Sequence, residues 1–305
     1  MGKVSIIGFL CFLPMYFYGQ MYASSDHYVH HALIINPAYA GSQDALSVSL
    51  FHRRYWDGFE GSPQTIALTA DAPLNSERVG IGLFLLNNKV GISNENTLAG
   101  NYAYRIKLRE STLAFGLAFG FTLYRNSWDN LAARDADDEL LSNQQSIGIL
   151  PDVSLGTYYS TSSYFVGLSL PMFLSHEYDA QDNGYRMLNR MSEYSYYLHA
   201  GVTHNLSNDI KIFPTLLLKY YPNQALQADL NTQVIFRDKL WLGAGYRTKS
   251  TLIGLVQYQV NRQLRFAYSY NFNLGKMMQF NNNSHEVMLH YNFNFDTEAP
   301  GPRSF

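Results

Sequence analysis

The chain has 305 residues, with 22 Lys and Arg against 24 Asp and Glu. Only 15% of residues are charged and 15% are aromatic, nearly all of the latter from 24 Tyr and 19 Phe. Disorder calls for fewer aromatics and more charge, nucleic-acid binding for a basic surplus, and a helical membrane bundle for apolar runs of about 18 residues, so what remains is a β-rich chain with interleaved apolar and polar residues.

Residues 1–19 read as an export signal. Lys3 supplies the positive start, and Val4 to Tyr18 is an apolar stretch too short for a stop-transfer helix. Cleavage is expected after Gly19 or after Ala23, with Gly19 favoured; the alternative is a buried N-terminal strand or helix. Phe9 and Leu10 stand before Cys11, where a lipoprotein signal needs small residues. Cys11 is the single cysteine, so the expected mature chain has neither a disulfide framework nor thiolate chemistry.

Residues 20–44 form a periplasmic amino-terminal segment. It ends on Ile35-Asn36-Pro37-Ala38-Tyr39-Ala40-Gly41-Ser42. Pro37 holds itself and Asn36 extended, and Gly41 permits a turn. The segment is either a linker or folds against or into the interior of the region from residue 45 onward.

From residue 45 the chain alternates with a period of two, which puts neighbouring side chains on opposite faces of a strand. Fourteen strands are expected, near 45–54, 64–73, 78–88, 94–109, 111–125, 150–160, 163–174, 193–206, 210–220, 225–236, 239–247, 251–260, 262–274 and 284–295. Between Leu113 and Leu123, bulky residues alternate with Ala114, Gly116, Ala118, Gly120 and Thr122. Between Leu264 and Leu274, Phe266, Tyr268, Tyr270 and Phe272 oppose Arg265, Ala267, Ser269 and Asn271. Most of these segments have the length of a tilted membrane-crossing strand rather than the five or six residues usual in soluble sheets.

The links alternate too. Those at 55–63, 89–93, 126–149, 175–192 and 275–283 are long, with 221–224 and 248–250 as short exceptions. Those at 74–77, 110, 161–162, 207–209, 237–238 and 261 are tight. Short periplasmic turns and long outer loops mark outer-membrane barrels, so residues 45–296 are expected to form a transmembrane antiparallel β-barrel with both chain termini in the periplasm and residues 297–305 as a tail. Lipid offers no hydrogen-bond partners, so such a sheet must close. Its outer face carries the apolar residues, with Tyr and Phe largely outward or interfacial. Fourteen strands imply a radius of roughly 14 Å, too wide for lining side chains alone to fill. Either a plug, which residues 20–44 could supply, or a water channel is implied.

Chemistry-bearing motifs are few. His285, Glu286 and His290 have a spacing one residue too long for a helical zinc site. Asp135, Asp137, Asp138 and Glu139 lack the ligand spacing and glycine of a calcium loop. The histidines, His30 and His31 included, read as polar surface or lumen residues. No catalytic, cofactor-binding or metal-binding residue is expected, and no cofactor. The bland reading of Trp56, Gly58, Gly61 and Pro63 is a tight outer turn with an interfacial Trp anchor; the functional one is a partner-docking loop.

Four segments together carry a resemblance. They are Ile35 to Ser42; Arg53-Arg54-Tyr55-Trp56-Asp57-Gly58-Phe59-Glu60-Gly61-Ser62-Pro63-Gln64-Thr65; Tyr268-Ser269-Tyr270; and Ser284-His285-Glu286. From about residue 20 to 296 the chain resembles the PorP/SprF family of Bacteroidota outer-membrane proteins. Tyr55 departs from the family's usual Gln, and Asn271 from its frequent Asp. The resemblance implies a non-enzymatic role in type IX secretion and gliding, with secretion components or the C-terminal domain of a secreted adhesin as partners and the lipid bilayer as surroundings. It marks Asn36, Pro37, Ala38, Tyr39 and Gly41, Arg54, Trp56, Gly61 and Pro63, and Ser284, His285 and Glu286 as partner or plug candidates. The rival reading is an outer-membrane channel for small or hydrophobic solutes; an outer-membrane lipase is the remote third.

Overall fold

Where large apolar side chains alternate with small or polar ones, the chain forms strands whose two faces meet different surroundings. The computed structural model describes residues 25–43, 45–74, 77–127, 146–171, 173–179, 184–188, 191–222, 224–248, 250–274 and 283–293. The expected leader, the acidic run at 135–139 and the tail at 297–305 lie outside them.

The strands are β1 (Ser47–Arg54), β2 (Gln64–Pro73), β3 (Val79–Val90), β4 (Ser93–Lys107), β5 (Ser111–Asn126), β6 (Ser146–Thr161), β7 (Tyr164–Leu170), β8 (Ser175–Asp179), β9 (Gly184–Leu188), β10 (Tyr196–Val202), β11 (His204–Asn205), β12 (Ile210–Tyr220), β13 (Gln227–Phe236), β14 (Leu240–Arg247), β15 (Thr251–Gln259), β16 (Leu264–Asn273) and β17 (Ser284–Asn292). All pairings are antiparallel. β8 and β9 form a separate hairpin, and the other fifteen belong to one sheet. β10 and β11 run along one stave, so the sheet has fourteen. It closes on itself through β1 with β17, as in Phe51 opposite Met288, and through β10 with β12, as in Leu198 opposite Leu218. Closure leaves no edge for lipid to face.

The expected fourteen strands are therefore present, with local corrections. β6 begins at Ser146 rather than 150 and pairs with β5 over its whole length. β7 stops at Leu170 rather than 174, where Pro171 follows with no N–H to donate. The β10–β11 stave is interrupted at Thr203, opposite the stretch of β12 that holds Pro214. The expected long link at 89–93 is the two-residue turn Gly91-Ile92, with Gly91 at φ +56°. The hairpin of β8 and β9 lies in what read as a plain loop, because each arm is only five residues long.

Face assignment follows the alternation. On β5, Phe115, Leu117, Phe119, Phe121 and Leu123 point outward, while Ala114, Gly116, Ala118 and Gly120 point inward. The aromatics are less one-sided than expected. Tyr28, Tyr39, Tyr158, Tyr197, Phe165, Phe213 and Trp241 are buried together, packed with Leu33 and Ile35. A wide barrel has volume to fill, and aromatic side chains fill it with few residues.

Candidate functional site

The inward faces of the staves converge on residues 25–43. This segment is buried almost throughout, and its hydrogen bonds run to residues far away in sequence.

At the end of the barrel that carries the long loops, the contact is ionic. Period-two alternation turns Arg53 inward and Arg54 outward on β1, and Ser284 and Glu286 inward with His285 outward on β17. Arg53 is 1% exposed. Its Nη1 lies 2.7 Å from Asp26 Oδ1 and 3.1 Å from Glu286 Oε2, and its guanidinium stands 4.5 Å from the centre of the Tyr55 ring. Asp26 also accepts from Arg247 Nη2 at 2.8 Å and from Ser269 Oγ at 2.7 Å. Arg247 Nε donates to Asp229 Oδ1 at 2.8 Å. Glu286 accepts from the Ser25 hydroxyl, from the Asp26 N–H at 2.9 Å and from the His27 N–H at 3.3 Å. Lys219, buried nearby on β12, completes three positive and three negative charges. Buried charge is tolerated when each group is paired and hydrogen-bonded.

At the tight-turn end, the contact is a close fit of backbone to backbone. Asn36 Oδ1 accepts the Ala38 N–H at 3.0 Å and so caps the short turn Pro37–Tyr39, while its Nδ2 donates to the Thr157 carbonyl on β6 at 2.9 Å. The Ser169 hydroxyl on β7 donates to the Ile35 carbonyl. Gly41, at φ +66°, gives its N–H to Asp71 Oδ2 on β2 at 2.9 Å. The wall makes room with inward glycines. A Cβ on Gly80 would stand 1.9 Å from the Ala40 oxygen, one on Gly116 2.0 Å from the Ala38 nitrogen, and one on Gly156 2.0 Å from Asn36 Oδ1. Tyr39 meets Tyr158 edge to face at 5.6 Å. Beside this seat is a cavity of about 220 Å³ lined by Ser42, Arg105, Lys107, Arg109, Thr112 and Tyr158 among others.

Between the two ends lie the histidines. His30 sits between Trp241, His290 and the Arg265 guanidinium, which is 3.1 Å from His30 Nε2. His290 Nδ1 pairs with the Ser49 hydroxyl at 2.6 Å. His27, His31 and His199 are buried too. Among the described side chains, five histidines thus share the interior, which their scatter in sequence conceals.

The first outer loop is a separate feature. Trp56 has φ +49°, and Gly58 and Gly61 also have positive φ. The Tyr55 N–H donates to the Pro63 carbonyl at 2.9 Å and closes the loop. The Gly91 N–H donates to the Gly61 carbonyl, and the Asp57 N–H to the Asn283 carbonyl. Ser284 Oγ accepts the Trp56 N–H at 3.4 Å. The loop is thereby tied to its neighbours on both sides. Arg54, Phe59, Glu60, Gln64 and Lys89 border a cleft of about 260 Å³ there. His285 faces outward, hydrogen-bonded to the Tyr268 hydroxyl at 2.6 Å.

The twelve candidate residues therefore fall into four places. Asn36, Pro37, Ala38, Tyr39 and Gly41 occupy the glycine-lined seat. Arg54, Trp56, Gly61, Pro63 and Ser284 belong to the outer loop. Glu286 anchors residues 25–27, while His285 stands apart on the outer face. Asp26, Arg53, Arg247 and Asp229 escaped sequence reasoning. The available signal was an Arg on the inward face of a strand, which needs a buried acidic partner.

A profile of the family described as type IX secretion system membrane protein PorP/SprF matches residues 18–291. No curated protein matches the sequence. Among solved structures, the CymD monoaromatic hydrocarbon channel is 13% identical, with 87% of this chain and 93% of that one covered and a TM-score of 0.53. The outer-membrane protein Omp33 of Acinetobacter baumannii is 8% identical, over 83% and 100% of the two chains, at a TM-score of 0.48. The toluene transporter TodX of P. putida is 11% identical, over 88% and 95%, at 0.46. At 13% identity, the likeness to CymD concerns the barrel fold alone.

Proposed function

The chain belongs to the type IX secretion system membrane protein PorP/SprF family, and from that membership we propose that its barrel binds a secreted adhesin-type substrate, through that substrate's C-terminal domain, and helps to export it or hold it at the cell surface. The protein is an outer-membrane barrel of that secretion system and interacts with its components or substrates. The observation that carries the proposal is the family match, which spans nearly the whole chain and all fourteen staves.

In this reading residues 1–19 are the leader, 20–44 plug the lumen, 45–296 are the barrel and 297–305 are a tail. Support for the plug comes from the burial of residues 25–43 and from the inward glycines that accept their backbone. An even number of staves returns the flanks of the barrel to one side, the periplasm, so the tail is periplasmic. The loop from Arg54 through Trp56 and Gly61 to Pro63, rigid and tied to its neighbours, is the outward docking surface. Binding residues are often carried on loops that a rigid scaffold positions.

Affinity isolation from cross-linked outer membranes tests this. The tagged protein is expected to bring down a large secreted adhesin or a periplasmic secretion component, and Trp56→Ala to bring down less while keeping its heat-resistant folded band on gels. Isolation of the wild type free of both, with surface display unchanged in cells lacking the gene, would refute it.

A further inference from the structure

We infer that the amino-terminal segment is threaded through the barrel from the tight-turn end to the long-loop end, so that the mature amino terminus opens on the same side as the long loops. This departs from the expectation that both termini are periplasmic. It goes beyond the plug proposed above, because a plug could equally enter and leave at the turn end.

The direction follows from the heights of its partners. Leaving β1 backward, the chain starts at the turn end, where the Ser47 hydroxyl donates to Gln43 Oε1. Gly41 and Asn36 bond to Asp71 and Thr157, which lie on β2 and β6 close to tight turns. His30 meets Arg265 at the start of β16 and Trp241 at the start of β14, strands that both begin at tight turns. His31 stacks on Phe51, higher on β1, at 4.6 Å.

Asp26 then reaches Arg53 and Arg247. Arg53 is the last residue but one of β1, and Arg247 is the last of β14. Both strands run directly into loop-end links. Ser25 reaches Glu286, two residues into β17 from the loop side. The segment thus begins, at Gln43 and Gly41, among partners beside the tight turns and ends, at Asp26 and Ser25, among partners at the loop end.

The last step is a latch. Glu286 gathers the Ser25 hydroxyl and two successive backbone N–H groups, while Arg53, Arg247 and Ser269 hold the Asp26 side chain. These six contacts on three residues fix the chain at the loop end of the interior. Charge-assisted hydrogen bonds of this kind are the stronger ones. A segment that merely filled space would need apolar contact, not a neutralised ionic anchor at the far mouth.

Single-cysteine labelling decides the matter. In a Cys11→Ser background, Ser24→Cys, Phe59→Cys and Arg109→Cys are each treated with a membrane-impermeant maleimide, on intact cells and after permeabilisation. Phe59 is exposed at the loop end and Arg109 at the turn end. Ser24→Cys is expected to follow Phe59→Cys, reacting at least tenfold faster in intact cells than Arg109→Cys. If it follows Arg109→Cys instead, or reacts only when the protein is denatured, the threading is wrong. The two reference positions report the barrel's orientation by themselves. A reversed pair would overturn the outer-membrane topology of the functional reading, while the side that Ser24→Cys shares still decides the threading.

Discussion

Replacing Glu286 with alanine will destabilise the barrel. The Ser25 hydroxyl and the Asp26 and His27 N–H groups lose their acceptor, and Arg53 loses one of its two carboxylates. Removing one partner from a buried ionic network costs about 3–5 kcal/mol, because the remaining charges stay buried without compensation. The effect is read as a lower temperature for losing the compact band on gels and a lower urea midpoint in detergent. Glu286→Gln keeps an acceptor oxygen and will cost less. Arg53→Met in the Glu286→Leu background will cost less than the sum of the two single changes, since the pair share partners. Equal losses for Glu286→Ala and for Arg54→Ala, whose side chain is about half exposed, would show that the network contributes nothing.

The second large effect is expected in the glycine-lined seat. In Gly116→Ala the new methyl would stand 2.0 Å from the Ala38 nitrogen, and in Gly156→Ala 2.0 Å from Asn36 Oδ1. At Gly116 contact that close cannot be absorbed by a rotamer change, because Ala38 meets it with backbone, whereas at Gly156 the Asn36 side chain meets it and must move. Overpacking of this kind costs about 1–3 kcal/mol, and here the strain falls on the turn Pro37–Tyr39 rather than on the paired staves. The amides of Tyr39 and Ala40, which bond to the Asn36 and Pro37 carbonyls, will exchange with solvent faster. The amides of β5 and β6 will not. Gly100→Ala is the control, since a Cβ there meets nothing within 4 Å. Unchanged exchange of Tyr39 and Ala40 in Gly116→Ala would mean that the segment does not rest on that wall.

Much of the barrel was legible in the residues, because a lipid-crossing strand writes its two faces into every second position. Phe115 to Leu123 and Phe266 to Phe272 could be assigned outward without coordinates. Strand ends were less legible. Pro171 stops β7 and Pro214 interrupts a stave by withholding an N–H, and whether that matters depends on which neighbour needs the donor. Gly91 made a two-residue turn where a longer loop was expected, because the turn needs only one residue with positive φ.

The site was legible in part. Asn36 to Gly41 stood out through Pro and Gly, whose conformational constraints are local. Their counterparts Gly80, Gly116 and Gly156 looked like ordinary small lumen residues, since nothing local says which glycine faces a second backbone. Asp26 meets Arg53 and Arg247 only after the sheet has closed, so no spacing rule could join them. His27, His30, His31 and His290 were hidden in the same way.

We propose that the chain's own residues 25–43 occupy the lumen, so that the protein serves secretion through protein contacts rather than by passing solute. The most direct test is the current through the purified wild-type protein in a planar lipid bilayer at neutral pH. No steady conductance above the bare membrane is expected, while Gly116→Ala and Glu286→Ala should show intermittent openings. A steady open channel in the wild type, with Tyr39 and Ala40 still protected from exchange, would show that the segment leaves the lumen open to solute.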